Sequence, residues 1–242
     1  MKVTLWVPSS GDAPRWPCVL SWMDLQRQWG DSLDFTRSLP GDIKIFWNKV
    51  VKDFLDSKND WLFSCHHDII FVPQTLERLL SWDKPLISAL VFMRQSPVIP
   101  HVWNSYGDSH KQPYAIRVQD TFKWIMEHDA VRFGPYVLDQ RPEDALAEID
   151  FTSTSCCLIH RSVLESMRES VADTWFKYDN ELNGGGEDRN FFENARAVGF
   201  PAYVDRSCGV GHLVGDIPSS AADFIAWSSI SDFKNTGEPA KA

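Results

Sequence analysis

Two stretches carry side chains able to do chemistry together. In "WLFSCHHDIIFVP", from Trp61 to Pro73, the residues His66, His67 and Asp68 follow a hydrophobic run. In "GGGEDRNFF", Glu187 and Asp188 follow three glycines at the start of a helical pattern. Imidazole beside carboxylate suits a divalent metal ion, and equally a hydrogen-bonded buried cluster. Alternation along a strand would turn His66 and Asp68 to one face and Cys65 and His67 to the other, leaving His67 to packing. Glycines let backbone approach a ligand closely, and a helix start is electropositive. A carboxylate held there is expected to stay ionised near neutral pH, as a general base must. An ordinary acidic first turn accounts for the same two residues.

His212 stands far along the chain in "GVGHLVG", which reads as a glycine-flanked loop. Two histidines and one carboxylate could form the facial triad of Fe(II) oxygenases. Against that triad, strands here alternate with helices. In addition, "HLVGDIPSSAADF" has no basic residue to hold an oxoacid carboxylate.

The elements that must position these groups follow from apolar periodicity. "VTLWV" reads as a buried strand ending at Pro8-Ser9-Ser10, and a helix follows from Pro17 with Cys18, Trp22, Leu25 and Trp29 on one stripe and Gly30 as its stop. A second helix begins near Asp42, and "DWLFSC", "QTLERLLSW" and "PLISALVFM" read as strand, helix and strand. Such alternation predicts an α/β sheet with parallel pairing and ligands beyond the carboxyl ends of its strands. Residues 95–150 read as an irregular insertion with short strand-like pieces, "PHVWN" and "TFKWIM". "EIDFTSTSCCLIH" reads as one long strand, and Ser162 to Glu165 as a capping box. "NGGGEDRNFFENARAVGF" then reads as a loop and helix stopped by Gly199, and "PAYVD" as a strand. The expected organisation is a single domain over 1–217 and a tail over 218–242.

Composition sets outer limits. A chain of 242 residues with 43% hydrophobic and 24% charged residues suits one globular domain. The net charge of -9 weighs against extended contact with a nucleic-acid backbone. No apolar run is long enough to span a membrane, and the N-terminus does not read as a signal peptide. Five cysteines without a CxxC pair suggest reduced, buried thiols and a cytoplasmic protein.

In order, these pieces resemble the GT-A superfamily of glycosyltransferases, particularly family-2-like nucleotide-sugar transferases, over roughly Val3 to Leu213. The Pro-Ser-Ser loop resembles the family's nucleotide-binding loop. "FWNKVVKDFL" resembles a helix that often opens with Arg-Asn, with Trp47 in the arginine's place. "WLFSCHHDIIFVPQTLERLLSWDKPLISALVFMR" is similar to the family's strand, DxD motif, helix and strand, ending in Arg94. "EIDFTSTSCCLIHRSVLESM" resembles the family's acid, small-residue run and Leu-Ile-Arg-Arg. "GGGEDRNFFENARAVGFPAYVD" resembles its Glu-Asp helix, and "GVGHL" its terminal metal-binding histidine.

The resemblance implies a GT-A fold and transfer of a sugar from a nucleotide diphosphate, a UDP-sugar first, to an acceptor hydroxyl with inversion. It implies Mn²⁺ or Mg²⁺ on Asp68 and His212, with His66 as a further candidate ligand. Asp188 would be the catalytic base and Glu187 its alternative. Pro8, Ser9, Ser10, Asn48, His66 and Arg94 would bind the donor. His66 departs from the pattern by replacing the first DxD acid, which favours Mn²⁺ as the softer ion. A non-catalytic nucleotide-sugar-binding relative is the alternative. The acceptor stays open among glycan, lipid-linked saccharide, protein and modified nucleobase, with aromatics such as Trp103, Tyr106, Tyr114 and Trp124 as stacking or packing groups.

Overall fold

The computed structural model describes residues 1–8, 14–37, 43–93, 99–103, 118–127, 141–178, 186–214 and 217–219. The elements run β1 (Val3–Val7), α1 (Trp16–Trp29), β2 (Leu33–Arg37), α2 (Ile43–Asp56), β3 (Trp61–Cys65), β4 (Ile69–Ile70), α3 (Gln74–Leu80), β5 (Leu86–Leu90) and β6 (Val102–Trp103). They continue with α4 (Val118–Glu127), β7 (Leu146–Ile149), β8 (Phe151–Thr152), β9 (Cys156–His160), α5 (Arg161–Val171), α6 (Glu187–Ala197), β10 (Ala202–Gly209), β11 (Gly211–Val214) and β12 (Ile217–Ser219).

The central sheet has seven strands in the order β2-β1-β3-β9-β5-β10-β7. Strands β2, β1, β3, β5 and β10 run one way, while β9 and β7 run the other. This mostly parallel, helix-flanked α/β sheet is the fold class expected. Every residue of β1 is buried because both faces of the sheet are covered. Its side chains alternate: Val3, Leu5 and Val7 join a core with α1 and α3, while Trp6 joins the opposite core with α2, α5 and α6. A second sheet, β12-β11-β4, lies against α1, with the Phe71 N–H donating to Ser21 Oγ (3.2 Å). Among the described residues, no helix is long and apolar enough to cross a membrane.

Four local expectations are corrected. "TFKWIM" lies in helix α4, where Thr121, Trp124 and Ile125 are buried at helical spacing and Lys123 pairs with Glu127 (3.6 Å). A six-residue run of mixed polarity satisfies both periods, and tertiary burial decided it. "EIDFTSTSCCLIH" is broken into β7, β8 and β9, with a turn at 153–155 in which the Ser155 N–H donates to Ser153 Oγ and the Thr154 hydroxyl donates to Asp188. "GVGHLVG" holds a strand, β11, paired on both sides by β4 and β12. Helix α5 starts one residue before the expected cap: His160 is the N-cap, its Nδ1 accepting from the Ser162 N–H (3.3 Å).

The early start of α5 serves Arg161. Its guanidinium donates to the carbonyls of Asn59 (2.9 Å), Leu55 (2.9 Å), Phe54 (3.0 Å) and Ser57 (2.7 Å). These include carbonyls that the end of α2 leaves without intrahelical partners. The same side chain thereby fixes the connection from α2 into β3, the strand that leads to His66. Arg161→Ala should lower unfolding free energy by about 2–4 kcal/mol in urea titrations, with Arg161→Lys recovering part of it. A change under about 0.5 kcal/mol for the alanine variant would refute this role.

Candidate metal and base site

Strand β3 stops at Cys65, and the chain turns. The His66 N–H donates to Ser155 O (2.9 Å), and the Ile69 N–H to His66 O (3.1 Å). Asp68 therefore reaches the sheet's carboxyl edge through a turn, and the strand alternation assumed from the sequence does not extend to it. His67 is not a packing residue: its Nδ1 lies 3.3 Å from Pro8 O, tying the turn to the end of β1. His66 is half-buried, its ring 6.2 Å from that of Trp47.

Strand β4 then pairs with β11 in a register that sets His212 opposite Ile69, and the Leu213 N–H donates to Asp68 O (2.8 Å). This pairing brings His212 Nε2 to 3.3 Å from Asp68 Oδ2, with only 15% and 9% of the two side chains exposed. On the other side of the ring, Nδ1 is 2.8 Å from Phe92 O. A carbonyl only accepts, so Nδ1 carries the proton and a neutral ring turns its Nε2 lone pair toward a carboxylate oxygen. Two lone pairs facing at that distance require a proton or a cation between them. Burial raises the Asp68 pKa, but the hydrogen bond and charge of His212, with His66 and His67 behind it, hold it well below the usual carboxylate range.

The pair fits a divalent cation. Two ligands at right angles, each about 2.1 Å from an octahedral ion, stand about 3.0 Å apart. Among the described residues no three His, Cys, Asp or Glu side chains converge as a ligand set. Such a cation would take its other ligands from water and from anionic groups of a bound molecule.

Asp188 lies beyond the turn at 153–155. Gly186 caps α6 in extended conformation, placing Glu187 and Asp188 in the first turn. Asp188 Oδ1 accepts from the Thr154 N–H (3.3 Å) and from the Thr154 hydroxyl. Burial, then the charge of Glu187, pushes its pKa up to about 7 against the opposing hydrogen bonds from Thr154 and Ser153. A carboxylate at a helix start is expected to stay ionised at neutral pH; here burial works against that by pushing the Asp188 pKa up. The next residue, Ser155, accepts from the His66 N–H, so one short turn contacts both candidate segments.

The remaining candidates are dispersed. Pro8 is buried at the end of β1, whereas Ser9, Ser10, Arg94, Tyr106 and Tyr114 lie outside the described residues. Asn48 exchanges two hydrogen bonds with the backbone of Phe176, each 2.9 Å, so its amide serves chain positioning. Trp103 is stacked on Phe151 at 5.8 Å, and Trp124 donates to Asp144 Oδ2 (2.9 Å). Sequence reasoning missed His101, whose pKa is lowered to about 4 by burial and then by the charge of His212. It also missed Thr154, for which the hydroxyl-rich "TSTS" was the available signal.

Comparison with known proteins places the chain by fold. No family model matches it, and no curated protein matches its sequence. The crystal structure of A197 from STIV is similar with a TM-score of 0.54 at 14% identity, covering 89% of this chain and 87% of that one. That likeness establishes the α/β fold alone. GalNAc-T7 with UDP, GalNAc and Mn²⁺ gives a TM-score of 0.49 at 9% identity, covering 97% of this chain and 49% of that one. This chain thus spans about half of that longer protein, and the correspondence is too loose to argue from.

Asp188 makes stability depend on pH. Its folded pKa, about 7, lies above the ordinary 3.8, so the native state binds more protons and loses stability as pH rises between those values. Asp188→Asn keeps an acceptor for Thr154 but cannot ionise. At pH 8 it should be more stable than wild type by an amount on the order of 2–4 kcal/mol, with the two converging near pH 4. Urea unfolding across that range checks this; parallel curves for the two proteins would contradict it.

Proposed function

We propose that this protein is a metal-dependent glycosyltransferase, moving a sugar from a nucleotide diphosphate donor, a UDP-sugar first, to an acceptor hydroxyl with inversion. The observation that carries the reading is the Asp68–His212 pair at the carboxyl edge of the sheet, joined through the 153–155 turn to an acid poised near neutrality. Asp68 and His212 would hold Mn²⁺, or Mg²⁺, with His66 beside them as a further donor-side group. A divalent cation there would offset the charge of the departing diphosphate. Asp188 accepts the acceptor hydroxyl's proton as that oxygen attacks the anomeric carbon and the bond to the diphosphate breaks. Glu187, at the same helix start, sustains the raised pKa of Asp188 and is the alternative base.

The motif order supports Pro8, Ser9, Ser10 and Arg94 as donor contacts, while Asn48 contributes by fixing Phe176. The acceptor class remains glycan, lipid-linked saccharide, protein or modified nucleobase. The five cysteines are buried free thiols, which supports a reducing, cytoplasmic setting. The mostly parallel sheet weighs against the oxygenase alternative. His66 in place of an acid favours keeping the non-catalytic binding protein as the second reading.

Asp188→Ala should abolish sugar transfer while UDP and Mn²⁺ binding by calorimetry stays within about twofold of wild type. Near-normal turnover in that variant would remove Asp188 as the base. Donor binding by the wild type without any turnover would favour the non-catalytic reading.

A further inference from the structure

We propose that Thr154 is the positioning residue for Asp188, its hydroxyl and main-chain N–H together fixing which carboxylate oxygen faces the reacting hydroxyl. The inference rests on the transferase reading for its catalytic meaning, and on geometry for the hold itself. Both donors of Thr154 meet one oxygen, Oδ1, which leaves Oδ2 as the oxygen that Thr154 does not hold. Thr154 is fully buried, and its branched side chain has few rotamers to choose from.

Its backbone is clamped on either side. The Ser155 N–H donates to Ser153 Oγ (3.2 Å), Ser155 O accepts from His66, and Cys156 pairs with Cys65 at the start of β9. Displacing Thr154 would therefore disturb the turn that leads to Asp68, so the base and the metal pair are held in register by one segment.

The surroundings leave Thr154 as the principal donor. On its own helix Asp188 faces Glu187, which repels it, and from β9 the Cys157 thiol. Arg189 pairs with Glu193 (2.7 Å), one turn further along α6. On the neighbouring α5 and β10, Arg161 is bonded to the α2 carbonyls, Arg168 to Asp173, and Asp205 to Trp82 and Ser207. Among the described residues, Ser153 adds a further side-chain hydrogen bond to the hold of Thr154.

Thr154→Val keeps the volume and removes the hydroxyl, while Thr154→Ser keeps the hydroxyl. The readout is the ¹³C carboxyl titration of Asp188, assigned by its loss in Asp188→Asn. The valine variant should raise the midpoint by about one pH unit, and serine should stay within about 0.3 of wild type. For the valine variant, kcat at pH 7 should fall roughly fivefold, with the acid limb of its pH profile displaced the same way and donor KM unchanged. Thr154→Ala carries the same readout if the valine variant does not fold. An unmoved midpoint without the hydroxyl, or a serine variant that behaves like valine, overturns the assignment. If wild type transfers no sugar, the transferase reading fails and the carboxyl titration alone decides the role of Thr154.

Discussion

The structure depends on one electrostatic constraint, a carboxylate oxygen and an imidazole nitrogen held 3.3 Å apart with little water around them. The ring cannot relieve the contact by turning, because its other nitrogen is bonded to Phe92 O. The carboxylate cannot retreat, because the Leu213 N–H fixes its backbone and β4 is locked to β11. Positive charge must occupy the gap, as a proton on His212 or as a metal ion. The first is the state of an ordinary ion pair. The second makes the edge of the sheet a place to bind anions.

Around that pair, packing supplies rigidity and chemistry supplies contrast. Trp47 stacks on Phe176 (4.2 Å) and Phe176 on Phe191 (4.5 Å), a continuous aromatic column linking α2 to α6. Helix α6 carries Asp188, so the column helps fix where Asp188 stands relative to the sheet. Two carboxylates at one edge are thus driven in opposite directions: Asp68 far down by neighbouring histidines, Asp188 up to about 7 by burial and Glu187. Such a separation would suit the proposed division of roles, one group as a standing anion and the other as an exchanger of protons.

Much of the scaffold was legible in the sequence. Buried parallel strands such as Val3–Val7 are continuous apolar runs, and the stripe of Cys18, Trp22 and Leu25 on α1 keeps helical phase. Asp68, His212 and Asp188 were legible as candidates because their residue types and order are unusual for pure packing. What the sequence hid is non-local. The pairing of β11 with β4 joins segments far apart in the chain, so His212 read as a loop residue when it lies on a strand. The pKa of Asp188 depends on burial, which periodicity in its own helix does not reveal. Asn48, conspicuous in the motif, turned out to bond backbone at Phe176.

The most direct test of the central claim is a Mn²⁺ titration followed by electron paramagnetic resonance, with and without UDP, on wild type, Asp68→Asn and His212→Ala. The account predicts one saturable site in wild type, tightened by UDP and weakened at least roughly 10–100-fold in either variant. Equal affinity in all three proteins, or no saturable binding in wild type with UDP present, would contradict it.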